Sequence, residues 1–258
     1  MKNLINWKMF FILLIACAIA SVISVPYLIA IIAIASSNEI EITPKIVFLT
    51  AVRNFVPFPI VIFLGLFLSK RIGMGLPILQ GVLEGKNQTK ELKSILLPSI
   101  SWGILAGVLI ILISIPFSKL IPEFQNLKVS IPVWKAILAT FYGGIAEEVL
   151  LRLFLVSLFV WITFKIKKAT DGGPTVFGIW LSIILAAIVF GLAHLPTAAQ
   201  MTSLTGMIIV RAVVLNGIGG VIFGWLYWKK GLESAMLAHF SGDIVLHIIT
   251  PFVASFFS

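Results

Sequence analysis

Apolar runs of twenty residues or more recur almost from end to end of this chain, separated by connectors that carry most of its lysines. A run of that length crosses the roughly 30 Å hydrocarbon core of a bilayer as an α-helix. In that medium every backbone N–H and C=O must find a partner within the chain, which a helix provides internally and an open sheet does not. The sequence therefore predicts an all-α fold, a polytopic membrane bundle of about seven transmembrane helices over 9–35, 46–68, 97–117, 133–164, 176–198, 204–228 and 232–256. A hydrophobic share of 60%, a charged share of 11% and a mean hydropathy of +1.12 exclude an ordinary soluble domain.

The run from Met9 to Ala35 is too long for the core of a signal peptide and is read as a retained helix. Between 72 and 96, Ile72, Leu76, Leu79, Val82 and Leu83 alternate with glycine, Pro77 and charged residues. Two readings fit that segment: a short helix lying at the cytoplasmic interface, or a connector with an apolar patch. The single cysteine, Cys17, lies in the first run, so an internal disulfide and a cysteine metal site are both out of reach.

A net charge of +9 invites a nucleic-acid reading, but the basic residues are spread over short connectors instead of forming a domain, so no nucleic-acid partner is expected. They report topology. With the N-terminus inside, the inner connectors hold twelve basic residues, among them Lys8, Lys70, Lys167, Lys229 and Lys230, against Lys45, Lys119, Lys128 and Lys135 outside. That bias predicts an N-in, C-out orientation. Arg53, Arg152 and Arg211 fall within the helices.

Three of the charged residues sit inside an apolar helix, at Glu147, Glu148 and Arg152. Each ionised group at a helix centre costs roughly 2.5–3.5 kcal/mol on insertion scales, so these should face a protein interior or a wet cavity. At 3.6 residues per turn Glu148 and Arg152 share a face in the order that favours an ion pair, which leaves Glu147, about 100° away, for another helix. His194 follows Phe190 by one turn late in the fifth run, and His239, Asp243 and His247 line one face of the seventh. Helical rise puts Glu147 and His194 roughly 25–27 Å from the inner ends of their helices and His239 roughly 10 Å, a gap that a tilt or a later helix start must close. A carboxylate at i+4 can fix which nitrogen of His239 carries the proton, while His247 reads as a polar residue near the outer interface. A carboxylate and two histidines on three helices are the parts that activate water and stabilise an oxyanion at a peptide carbonyl. No Gly-x-Ser-x-Gly elbow and no His-Glu-x-x-His helix is present.

Glu147-Glu148-x-x-x-Arg152, then Phe190-x-x-x-His194, then His239-x-x-x-Asp243, taken in that order, resemble the CPBP family, the CAAX protease and bacteriocin-processing group of Rce1-like intramembrane proteases also labelled Abi. The approach to the third motif, Gly224-Trp225-Leu226-Tyr227-Trp228 to Gly231-Leu232-Glu233-Ser234-Ala235, looks like the family's as well. The resemblance covers about 130–250. It divides the chain into N-terminal transmembrane helices, 1–130, and a catalytic helical core, 131–258. It implies a cavity open to the cytosol in which Glu147 and His194 polarise a water, Glu148, Arg152 and Phe190 support them, and His239 with Asp243 occupies the oxyanion-stabilising positions. Family members often carry Asn where this chain has Asp243, and an ionised carboxylate, unlike an amide, cannot donate a hydrogen bond. Asp243 must then be protonated, orient His239 or help bind a metal. Cofactor use stays open between zinc, held by Glu147, His194, His239 and Asp243, and a metal-free glutamate mechanism.

The partners implied are membrane lipids and a membrane-associated or lipidated peptide or protein substrate. The setting implied is peptide maturation or bacteriocin self-immunity, and composition and size point to a bacterial plasma membrane. Two other readings compete: a proton-coupled transporter with Glu147, Glu148, His194 and Asp243 as its relay, and a catalytically silent scaffold or immunity protein.

Overall fold

Prolines stand at the breaks in the first two apolar runs. In the computed structural model, which describes residues 4–36, 43–121 and 131–251, seven spans are long and apolar enough to cross a membrane: Trp7–Ala33, Pro44–Ile72, Thr89–Leu120, Val133–Ile166, Val176–Gln200, Gly206–Lys230 and Leu232–Ile249. The chain is a multi-pass, all-helical membrane protein, as its hydropathy predicts.

The first span is not one straight helix. Trp7–Ile23 gives way to Val25–Ser36 at Ser24, two residues before Pro26, whose missing N–H leaves a carbonyl of the preceding turn without its donor. Ser24 Oγ turns back to the Ser21 carbonyl at 3.2 Å. The second span breaks likewise at Val56-Pro57, between Pro44–Phe55 and Phe58–Ile72. The third begins eight residues earlier than hydropathy places it, because Thr89-Lys90-Glu91-Leu92-Lys93 is polar yet helical and extends beyond the apolar stretch. Asn6, Thr43, Thr175 and Thr205 cap four of the helix starts by accepting first-turn N–H groups.

Between the second and third spans the 72–96 segment forms a short helix, Pro77–Leu83. It is tied to the start of the seventh span: Leu232 N–H donates to the Gly75 carbonyl at 2.9 Å and Leu79 N–H to Glu233 Oε1 at 2.8 Å. Gly231 makes the hinge between the sixth and seventh spans at φ 93°, a left-handed conformation that side chains disfavour, and a Cβ there would also crowd Pro77.

The fourth span runs through the middle of the bundle. Val133–Phe141 and Ser157–Ile166 are α-helical, but Tyr142–Glu147 and Val149–Val156 between them are π-helical. Ala146, Val149 and Leu153 are fully buried there and join a core with Cys17, Phe58, Ile62, Ile183, Leu226 and Ala238. Large apolar side chains such as Phe48, Leu97, Leu112, Phe177 and Ile184 point outward, as lipid-facing residues do. Helix 176–193 ends at Ala193, and His194, expected inside a longer helix, stands at the break before the short helix Leu195–Met201, whose second residue is Pro196.

Candidate active site

The wide π-helical turns of the fourth span carry Glu147 and Arg152 on either side of Glu148, and the widening does not disturb the i,i+4 relation. Arg152 Nη1 meets Glu148 Oε1 at 2.8 Å with both side chains buried. Arg152 Nη2 reaches the Gly219 and Gly220 carbonyls of the sixth span at 3.3 Å, and its guanidinium lies 5.4 Å from the Phe190 ring and 5.5 Å from the Phe223 ring. A buried ion pair of this kind stands only with such extra partners, because desolvation offsets most of its Coulombic attraction.

The same Glu148 oxygen also holds His239. Nδ1 of His239 donates to it at 2.6 Å, so one carboxylate oxygen serves a guanidinium and an imidazole at once. Phe223 stacks on the imidazole, 4.9 Å between ring centroids and 27° between planes. With Nδ1 engaged and one face covered, the ring is fixed and Nε2 is aimed at Glu147 Oε2, 3.8 Å away, and Asp243 Oδ1, 3.7 Å away. The orienting carboxylate of His239 is therefore Glu148, from another helix, and not the same-helix Asp243. At 3.7–3.8 Å neither Nε2 contact is a direct hydrogen bond, which leaves acceptor and donor capacity on all three groups turned toward one point. Gly143 makes this approach feasible, since a Cβ there would sit 3.2 Å from His239 Nε2 and collide with the Asp243 carboxylate.

Glu147 is the wetter acid, with its side chain 25% exposed against 0% for Glu148. The sequence-level division of labour, a neutralised Glu148 and a Glu147 turned to another helix, describes the geometry. His194 joins less directly. Its Nδ1 donates to the Phe190 carbonyl at 2.9 Å, and the Phe190 ring packs edge-on against both His194, at 4.8 Å, and His239, at 6.1 Å. Among the described residues no carboxylate pairs with His194.

Two residues escaped sequence reasoning, His247 and Tyr27. His247, expected at the outer interface, lies 3.9 Å from Asp243 Oδ1 and packs against Tyr27 of the first span at 6.1 Å between rings. The spacing His239, Asp243, His247 carried that hint. Asn216 is no part of the cluster and donates to its own helix at the Ala212 carbonyl.

Zinc needs three or four ligands around one point. Among the described residues no group of three or more His, Cys, Asp or Glu side chains is arranged to hold a metal ion. His194 is held by the Phe190 carbonyl, away from Glu147, His239 and Asp243, so the four do not form one ligand set.

Residues 129–245 match the family described as type II CAAX prenyl endopeptidase Rce1-like, a stretch that contains all three motifs. Neither the curated proteins nor the solved structures give a match to this chain. Residues 129–245, which carry the three ordered motifs, are thus the part of the chain that belongs with the Rce1-like family of type II CAAX prenyl endopeptidases.

Proposed function

We propose that the chain is an intramembrane endopeptidase that hydrolyses a peptide bond of a membrane-associated or lipidated substrate, with water as the nucleophile and Glu147 as its base. The observation that carries the reading is the placement of the partly exposed Glu147 carboxylate 3.8 Å from an imidazole nitrogen whose ring is fixed from behind by Glu148. A general base must lie within reach of the proton it takes and of the group that steadies the resulting charge. His239 Nε2 and Asp243 flank the place where the attacked carbonyl would lie, and His194 borders it through Phe190. Arg152, by sharing Glu148, holds the imidazole without touching substrate.

The lysine-rich connectors and the N-terminus face the cytoplasm in this reading, and the membrane is a bacterial plasma membrane. A tagged peptide library in liposomes tests the proposal. Wild type cleaves, treatment with a chelator leaves cleavage intact, and Glu147→Gln abolishes it while the purified protein keeps its unfolding transition. A scaffold would retain its biological effect in Glu147→Gln, and a transporter would show flux tied to a proton gradient. Cleavage by Glu147→Gln at the wild-type rate would overturn the assignment.

A further inference from the structure

A cleft of about 1220 Å³ opens where the starts of the first and third spans and the connector from Gly73 to Gln88 meet the ends of the second and sixth, and none of the residues around Glu147 and His239 lines it. Its lining holds four lysines, Lys8, Lys70, Lys229 and Lys230, against one carboxylate, Glu91. Lys8 lies in the first turn of its span, Lys70 in the last turn of the second, and Lys229 and Lys230 close the sixth. All four therefore sit where apolar helix gives way to polar chain, which is the level of lipid headgroups. Trp7 and Trp228 stand in the same lining, as aromatic residues do at that depth, and Lys229 Nζ is held 3.5 Å over the Trp228 ring.

We propose that this cleft binds the headgroup of an anionic phospholipid. Charge selects an anion: four ammonium groups facing one carboxylate repel a cationic or second basic ligand. Location selects a lipid over a soluble phosphate. Basic pockets between transmembrane helices at the headgroup level attract acidic lipids, and the lysines are exposed, so a free phosphate would gain only screened, high-dielectric attraction. A phospholipid is concentrated at that level already and has acyl chains to cover apolar surface. Exposed apolar residues follow or precede lining residues in the chain: Leu4, before Ile5, is 64% exposed, and Leu96 and Leu97, after Ile95, are 43% and 72% exposed. The inference does not rest on proteolysis, because binding is read without cleavage.

Native mass spectrometry of the full chain, released from nanodiscs of equal phosphatidylglycerol and phosphatidylcholine, tests it. The wild type retains phosphatidylglycerol over phosphatidylcholine by about tenfold or more, and the K8Q/K229Q/K230Q variant loses that preference. A K45Q/K119Q/K135Q variant, equal in charge change but altered at other helix ends, keeps it. Soluble glycerol phosphate at matched concentration leaves the retained lipid in place. Equal retention of both lipids by wild type, loss of preference in both variants, or displacement by glycerol phosphate would each overturn the proposal. Should the cleft variant not fold, the wild type decides alone: raising salt from 0.15 to 1 M must collapse the preference, and a preference unmoved by salt rejects a charge-selected site.

Discussion

Glu148 Oε1 accepts from both Arg152 and His239, so a single oxygen couples the stability of the bundle to the aim of the imidazole. Removing one member of a buried ion pair leaves an uncompensated charge, and Arg152→Met is expected to cost about 3–5 kcal/mol in a denaturant titration in detergent. Adding Glu148→Leu should recover part of that loss, because both charges then leave together, while activity stays lost for want of a partner at His239 Nδ1. Asp243 separates geometry from charge. Asn has nearly the same shape and supplies an amide donor toward the Nε2 side, so Asp243→Asn is expected to keep cleavage within about tenfold of wild type and Asp243→Leu to lose it. Comparable loss in both would mean that the carboxylate charge itself is used. The pairing of Glu148 with Arg152 was legible in the sequence, since i,i+4 spacing reports neighbours on one helix. The pairing of Glu148 with His239 was not, because it joins residues 91 positions apart, and same-helix spacing named Asp243 in its place.

π-Helical stretches hold part of the candidate site, while His239 and Asp243 sit on the α-helix Leu232–Ile244. Among the described residues there are three such stretches, and they hold Glu147, Arg152 and His247 in turn. Such turns are rare and cluster at functional sites because they redirect side chains that an α-helix would send elsewhere. Nothing in residue composition marks them, whereas the seven spans were legible because hydropathy reads apolar length directly. Their ends were less so: the polar first turns of the third span look like connector by hydropathy, and the prolines that break the first two spans mark a bend without fixing its position. Caps are the exception, since Ser, Thr and Asn before an apolar run announce a start. Thr205 accepts from Ile208 N–H at the head of the sixth span, and Thr205→Ala is expected to lower stability by about 1 kcal/mol, read from the unfolding midpoint.

At the scale of the whole molecule the two ends of the bundle differ. The lysine-lined cleft lies at one end, whereas Tyr27, His194 and His247 stand well along their spans toward the other. The lysine bias predicts a cytoplasmic cleft end, while the resemblance implies a catalytic cavity open to the cytosol. Labelling separates the two. In a Cys17→Ser background, a cysteine at Lys229 should react with an impermeant maleimide only after the cells are opened, and one at Lys135 should react in intact cells. Labelling of Lys229→Cys in intact cells would reverse the orientation.

His194 closes its helix at a break followed by Pro196. The Phe190 carbonyl, not an acid, holds that imidazole, so His194 is steered by a helix end while His239 is steered by a buried carboxylate, and the two rings answer to different elements of the bundle.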